Sequence, residues 1–125
     1  MAVEGKKVLV VEDTALNQKT LIRLLEKKGI VAEGADNGSI CLEKIKTTQY
    51  DLIFMDYLMP DMDGVETFQK MQEMEHLCKN TPVIMLTAAT DGGNKEEFLA
   101  KGFSDFLGKP VLPMNLYAVV EKFCS

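Results

Sequence analysis

At 125 residues, 46% hydrophobic and 26% charged, the chain has the balance of one globular domain with its own core and no room for a second enzyme module. A net charge of −5 argues against direct nucleic-acid binding, because phosphate backbones reward clustered Lys and Arg, so the partners are expected to be proteins. No apolar run approaches the ~20 residues that cross a bilayer, and the first residues lack the long apolar stretch of a secretory signal, so a cytoplasmic location without membrane contact is expected.

Apolar runs of strand length alternate with segments of helical period, the signature of βαβ units around a parallel sheet. The first strand is read from Lys7 to Val11. Asp13 or Thr14 is expected to cap a helix that turns Leu21, Leu24 and Leu25 inward, with Gly29 stopping it. A weaker strand, Ile30 to Ala35, precedes an Asp36-Asn37-Gly38 turn and a helix whose inner face is Cys41, Leu42 and Ile45. The third strand, Asp51 to Met55, is apolar after its first residue, as a strand covered on both faces should be. A loop from Tyr57 to Asp63, closed by Gly64, leads to a helix that buries Val65, Phe68 and Met71 and fades toward Asn80.

Pro82 forbids helix continuation, so Val83 to Leu86 becomes the fourth strand, with Thr87 at its end. Asp91-Gly92-Gly93-Asn94 reads as a flexible turn before a short helix carrying Phe98 and Leu99, the least firmly held of the helices, ended by Gly102. The fifth strand, Ser104 to Leu107, runs into Gly108-Lys109-Pro110. A last helix starts near Pro113 and buries Leu116, Val119, Val120 and Phe123. Cys41, Cys78 and Cys124 are widely spaced without a Cys-x-x-Cys, and free thiols are expected. His76, the single histidine, is expected to be exposed near the end of the third helix.

The economical solution is an α/β fold: a doubly wound, five-stranded parallel sheet of order 2-1-3-4-5, spanning residues 1–125 as one domain. Ligands of such sheets bind beyond the C-terminal strand ends at the switch point, here between strands 1 and 3. Glu12-Asp13 and Asp56 lie at those ends, and Thr87 and Lys109 at the ends of strands 4 and 5. Carboxylates brought to one point repel, and the arrangement makes sense if a divalent cation with hard oxygen preferences holds them.

That set suits a carboxylate nucleophile attacking phosphorus, where negative charge must be cancelled on both partners and the atoms held in line. Mg²⁺ on Asp13 and Asp56, with Glu12 reached directly or through water, would supply two charges. Lys109 would supply a third, the Thr87 hydroxyl would donate to a phosphoryl oxygen, and backbone N–H groups around Tyr57 and Ala88 could donate others. The product would be an acyl phosphate on Asp56.

Four segments, taken in order, carry a resemblance along nearly the whole chain: Val8-Leu9-Val10-Val11-Glu12-Asp13, Met55-Asp56-Tyr57-Leu58-Met59-Pro60-Asp61-Met62-Asp63-Gly64, Pro82-Val83-Ile84-Met85-Leu86-Thr87-Ala88 and Asp105-Phe106-Leu107-Gly108-Lys109-Pro110. The chain resembles the receiver domain of two-component response regulators, a flavodoxin-like fold. The resemblance implies that Asp56 accepts phosphate from a histidine kinase or histidine phosphotransfer protein. It implies Glu12, Asp13, Asp56 and the backbone carbonyl of Leu58 as Mg²⁺ ligands, with Thr87, Ala88 and Lys109 around the phosphoryl group. It further implies a cis Lys109-Pro110 bond and a switch pair, Thr87 and Phe106, through which phosphorylation alters the face made by the fourth helix, fifth strand and fifth helix toward a downstream target or output domain.

Thr14-Ala15-Leu16-Asn17-Gln18 looks like the first helix of hybrid-kinase and phosphorelay receivers, where Asn is commoner than Thr at position 14. Leu58 and Ala89 flank the site and offer no acid or amide to orient water, so a long-lived phosphorylated state is expected. Among rivals, a flavin carrier lacks its phosphate cradle after strand 1, and a dehalogenase-type phosphohydrolase would need an acid where Leu58 stands. A pseudo-receiver interaction module that is never phosphorylated would be expected to lose an acid or the lysine, and all are present.

Overall fold

Each apolar run becomes a strand, and each amphipathic stretch a helix. The order is β1 (Lys7–Val11), α1 (Ala15–Glu26), β2 (Val31–Ala35), α2 (Gly38–Thr47), β3 (Leu52–Asp56), α3 (Gly64–Glu73), β4 (Val83–Ala88), α4 (Lys95–Ala100), β5 (Asp105–Lys109) and α5 (Pro113–Cys124). This is a computed structural model that describes residues 3–88 and 94–124, so Ala89 and the turn expected at 91–93 lie outside the described residues.

All strands are parallel, in one five-stranded sheet of order β2-β1-β3-β4-β5. Because successive side chains alternate, each strand feeds two cores. Leu9, Val11, Ile53, Met55, Val83 and Met85 face one way, toward Cys41 and Ile45 of α2, Phe68 and Met71 of α3 and Phe98 of α4. Val8, Val10, Phe54, Ile84, Leu86 and Leu107 face the other, toward Leu21 and Leu25 of α1 and Leu116, Val119 and Val120 of α5. The three cysteines are free and buried.

Side chains set several helix starts. Asn37 accepts from the Ile40 N–H at 2.8 Å, Asp63 from Glu66 at 2.8 Å and Asn94 from Glu97 at 2.9 Å, each satisfying an amide of the first turn. The turn read at Asp36-Asn37-Gly38 is thus the entrance to α2, and the loop before Gly64 ends in a capping aspartate. The expected cap of α1 differs: Thr14 occupies the N-cap position without a side-chain cap bond, and its own N–H donates to Glu12 Oε1 at 3.2 Å. Gly29, at φ 78°, takes the left-handed conformation that turns the chain from α1 into β2.

Other inward faces are trimmed. Leu24, Leu42, Val65 and Phe123 are half-buried, and Leu99 is exposed because the six residues of α4 sink only Phe98 into the core. Cys124 takes the innermost place at the end of α5. His76 lies beyond α3 and is half-buried rather than exposed. Its Nδ1 accepts the Cys78 N–H at 2.9 Å, which leaves Nε2 to donate to the Met71 carbonyl at 3.0 Å, so the ring pins the α3–β4 connection. Four aromatic rings run through the first core in contact: Tyr57 on Phe98 at 5.4 Å, Phe98 on Phe103 at 6.1 Å, and Phe103 on Phe68 at 4.3 Å.

Candidate functional site

Register alone brings the site together. Val11 pairs with Met55, so continuing the ladder by one residue sets Glu12 beside Asp56, the last residue of β3. Asp56 pairs with Leu86 and Leu86 with Leu107, and Lys109 stands one pleat beyond Leu107, opposite Ala88. Glu12, Asp56 and Lys109 therefore project to the same side of the sheet, the side covered by α1 and α5. β5 runs through Gly108 and Lys109, past the Leu107 end expected from sequence, and this extension is what carries the ammonium to the carboxylates.

One carboxylate oxygen from each of Glu12, Asp13 and Asp56 lies within 4.8 Å of the others. Glu12 and Asp56 are each 1% exposed, whereas Asp13 faces solvent. Lys109 Nζ donates to Asp56 Oδ1 and stands 3.4 Å from Glu12 Oε2. Burial pushes the Asp56 carboxyl up to about 7; the hydrogen bond from Lys109 works against this and the Glu12 charge adds to it. Burial opposes the charge on Lys109, but its hydrogen bond to Asp56 and the charges of Asp56 and Glu12 prevail and hold it above the ordinary lysine value.

Three polar groups of Glu12 are tied down. Its N–H donates to the Ala35 carbonyl at 3.0 Å, its carbonyl accepts from Gln18 Nε2 at 3.0 Å, and Oε1 accepts from Thr14. Oε2 is buried without a hydrogen-bond partner. A buried carboxylate oxygen without a hydrogen-bond partner, beside two more carboxylates, is a donor set for a hard divalent cation. The residues present fit that ion.

Thr87 and Phe106 occupy the other side of the sheet. Thr87 is buried in β4 opposite Gly108, and Phe106 is opposite Met85, so the two are diagonal neighbours one pleat apart on the α3/α4 side. Phe106 is half-buried against the first core, with Lys95 Nζ 5.7 Å from its ring centroid. The Thr87 hydroxyl donates to the Ala88 carbonyl at 3.3 Å. Leu58 is half exposed, at 52%. Of the backbone N–H groups around Tyr57 and Ala88 that the sequence offered as further phosphoryl donors, that of Tyr57 itself donates to the Leu86 carbonyl at 2.9 Å and belongs to the sheet ladder. The Lys109-Pro110 bond is cis.

A cleft of about 390 Å³ opens beside the carboxylates, lined by Glu12, Asn17, Thr20, Leu21, Lys109 and Pro110 among others. Sequence reasoning missed the roles of Gln18 and Asp63. The Asp63-Gly64-Val65-Glu66 spacing, an acid followed three residues later by Glu, is a signal that could have found the second.

Residues 8–121 match the family model described as the response regulator receiver domain. The chain is 36% identical over 121 residues to the hybrid signal transduction histidine kinase K of Dictyostelium discoideum, covering 92% of this chain and 10% of that kinase. It spans no more than 12% of the length of the curated relatives it is compared with. Among solved structures, chemotaxis protein CheY4 of Vibrio cholerae superimposes with a TM-score of 0.83 at 31% identity, covering 95% of this chain and 98% of that one. The receiver domain of sensor histidine kinase PA1611 from Pseudomonas aeruginosa PAO1, solved with a magnesium ion coordinated in its active-site cleft, gives 0.84 at 28% identity, covering 96% and 98%. By family model, relatives and architecture together, this chain belongs to the receiver domains of two-component signalling.

Proposed function

We propose that Asp56 accepts a phosphoryl group from a histidine kinase or histidine phosphotransfer protein in a Mg²⁺-dependent reaction, and that the chain acts as a single receiver domain over residues 1–125. The observation that carries this reading is the convergence of the Glu12, Asp13 and Asp56 carboxylates with the Lys109 ammonium at the strand ends. Mg²⁺, when held by Glu12, Asp13, Asp56 and the Leu58 carbonyl, supplies positive charge that offsets the approach of an anionic nucleophile to an anionic phosphoryl group.

The chain's own residues do the rest. An Asp56 oxygen attacks phosphorus, the bond from phosphorus to the donor's imidazole nitrogen breaks, and its electron pair leaves with the imidazole. Lys109, paired with Asp56 before transfer, stays beside the new acyl phosphate as its counter-charge. Thr87 and Ala88 sit at the end of β4, from which the Thr87 hydroxyl and the Ala88 amide can turn to the phosphoryl oxygens. Reorienting Thr87 changes what its diagonal neighbour Phe106 packs against, and so the α4-β5-α5 face presented to a downstream target or output domain.

A protein donor is supported by the exposed Leu16 and Leu112, which adjoin in sequence Asn17 and Val111 of the cleft beside Asp56. Three free thiols accord with a cytoplasmic setting. Incubation with a small acyl-phosphate donor and Mg²⁺ should add one phosphoryl group, mapping to Asp56. Asp56→Asn should lose the label, and chelation should stop the reaction. A wild-type protein that takes no label would instead favour an interaction module that is never phosphorylated.

A further inference from the structure

Gln18 is a half-buried residue of α1 that reaches two strand ends at once. Its Nε2 donates to the Glu12 carbonyl at 3.0 Å and to Asp36 Oδ1 at 3.0 Å. The first of these bonds grips the peptide plane between Glu12 and Asp13, whose orientation decides where the exposed Asp13 carboxylate can go. Beneath the amide lies Gly34 of β2, which pairs with Val10. A methyl group on Gly34 would collide with the Gln18 amide oxygen and stand 3.0 Å from its Cγ. Gly34 has no positive φ, so backbone conformation gives no reason for a glycine there. Room for the Gln18 side chain does.

We propose that Gln18 is a positioning residue for the acidic cluster, locking the Glu12-Asp13 peptide so that both carboxylates converge with Asp56, and that Gly34 keeps open the space in which it works. The proposal rests on the reading that these acids take up a divalent cation. Partners that orient metal ligands from outside the coordination sphere are worth about tenfold or more in affinity. The Gln18 amide does this through main chain rather than through a ligand's side chain.

The test is a double-mutant cycle read as Mg²⁺ affinity by titration calorimetry on the unphosphorylated chain, with unfolding curves recorded alongside. Gln18→Ala should weaken Mg²⁺ binding about tenfold. Gly34→Ala should do the same by evicting the amide, and the double variant should be no weaker than either single one. Tyr117→Phe, which removes a hydrogen bond from α5 to the Leu24 carbonyl of α1, should leave the affinity within about twofold and so report on any general loosening of α1. Unchanged affinity in Gln18→Ala, or losses that multiply in the double variant, would overturn the positioning role alone. No Mg²⁺ uptake by the wild type would overturn the metal site as well.

Discussion

Replacing Asp56 by Asn should stabilise the metal-free fold, and by an amount that depends on pH. The structure buries Asp56 beside Glu12 with Lys109 as the ammonium between them, and the carboxyl is raised from 3.8 to about 7. For an acid raised in the folded state, the native protein holds the proton more tightly than the unfolded chain. Its contribution is therefore fully present below pH 3.8, is lost as pH rises through 7, and stays lost above. About three units at ~1.4 kcal/mol each set a ceiling near 4 kcal/mol, and local relaxation brings the expected gain to roughly 2 kcal/mol. Asn has the shape of the protonated acid without the charge, so it escapes this loss. Urea unfolding followed by far-UV circular dichroism, in chelator, should show Asp56→Asn ahead of wild type at pH 8, with less than half that lead at pH 5. Saturating Mg²⁺ should then stabilise wild type far more than the variant, by about 2.7 kcal/mol at a hundredfold excess over Kd. A difference that is the same at both pH values, or a variant less stable at pH 8, would refute the reasoning.

Lys109→Ala should lower labelling by the acyl-phosphate donor at least about tenfold, because Asp56 and Glu12 lose the ammonium between them; intact-mass time courses would show it. Gly64→Ala should destabilise the domain by about 1–3 kcal/mol, since a methyl group there meets the Asp56 carbonyl oxygen and lies 3.1 Å from Met55 Cγ; the urea midpoint checks this. The thiols should resist a disulfide-exchange reagent at pH 8 until urea unfolds the chain, because all are buried and burial pushes Cys41 up to about 12; rapid labelling of the native protein would contradict that.

The strands were legible because a parallel sheet covered on both faces demands continuous apolar runs, and Val8–Val11, Leu52–Met55 and Val83–Leu86 supply them. The central acids were legible for the same reason, standing where those runs stop. Strand 5 was read two residues short because Gly108-Lys109 has turn composition, although both pair with β4. Phe98 and Leu99 were read together because a six-residue helix offers too few turns for a periodic pattern to single out Phe98. The Tyr57 amide and the His76 ring depend on tertiary partners, Leu86 and Met71, that no local pattern announces. Gln18 was invisible as a functional residue, since a polar side chain on a helix reads as solvent-facing until β2 and the end of β1 are placed beneath it.

The aromatic row from Tyr57 to Phe68 has a mechanical consequence. Tyr57 directly follows Asp56, and the next ring, Phe98, is the sole buried residue of α4. Rings in edge contact inside a close-packed interior have no slack, so a displacement of main chain beside Asp56 must be taken up by rotating Phe98, and α4 has no other anchor in the core to resist it. The six-residue α4 is thereby geared through Tyr57 to the main chain beside Asp56, along a path that bypasses Thr87 and Phe106.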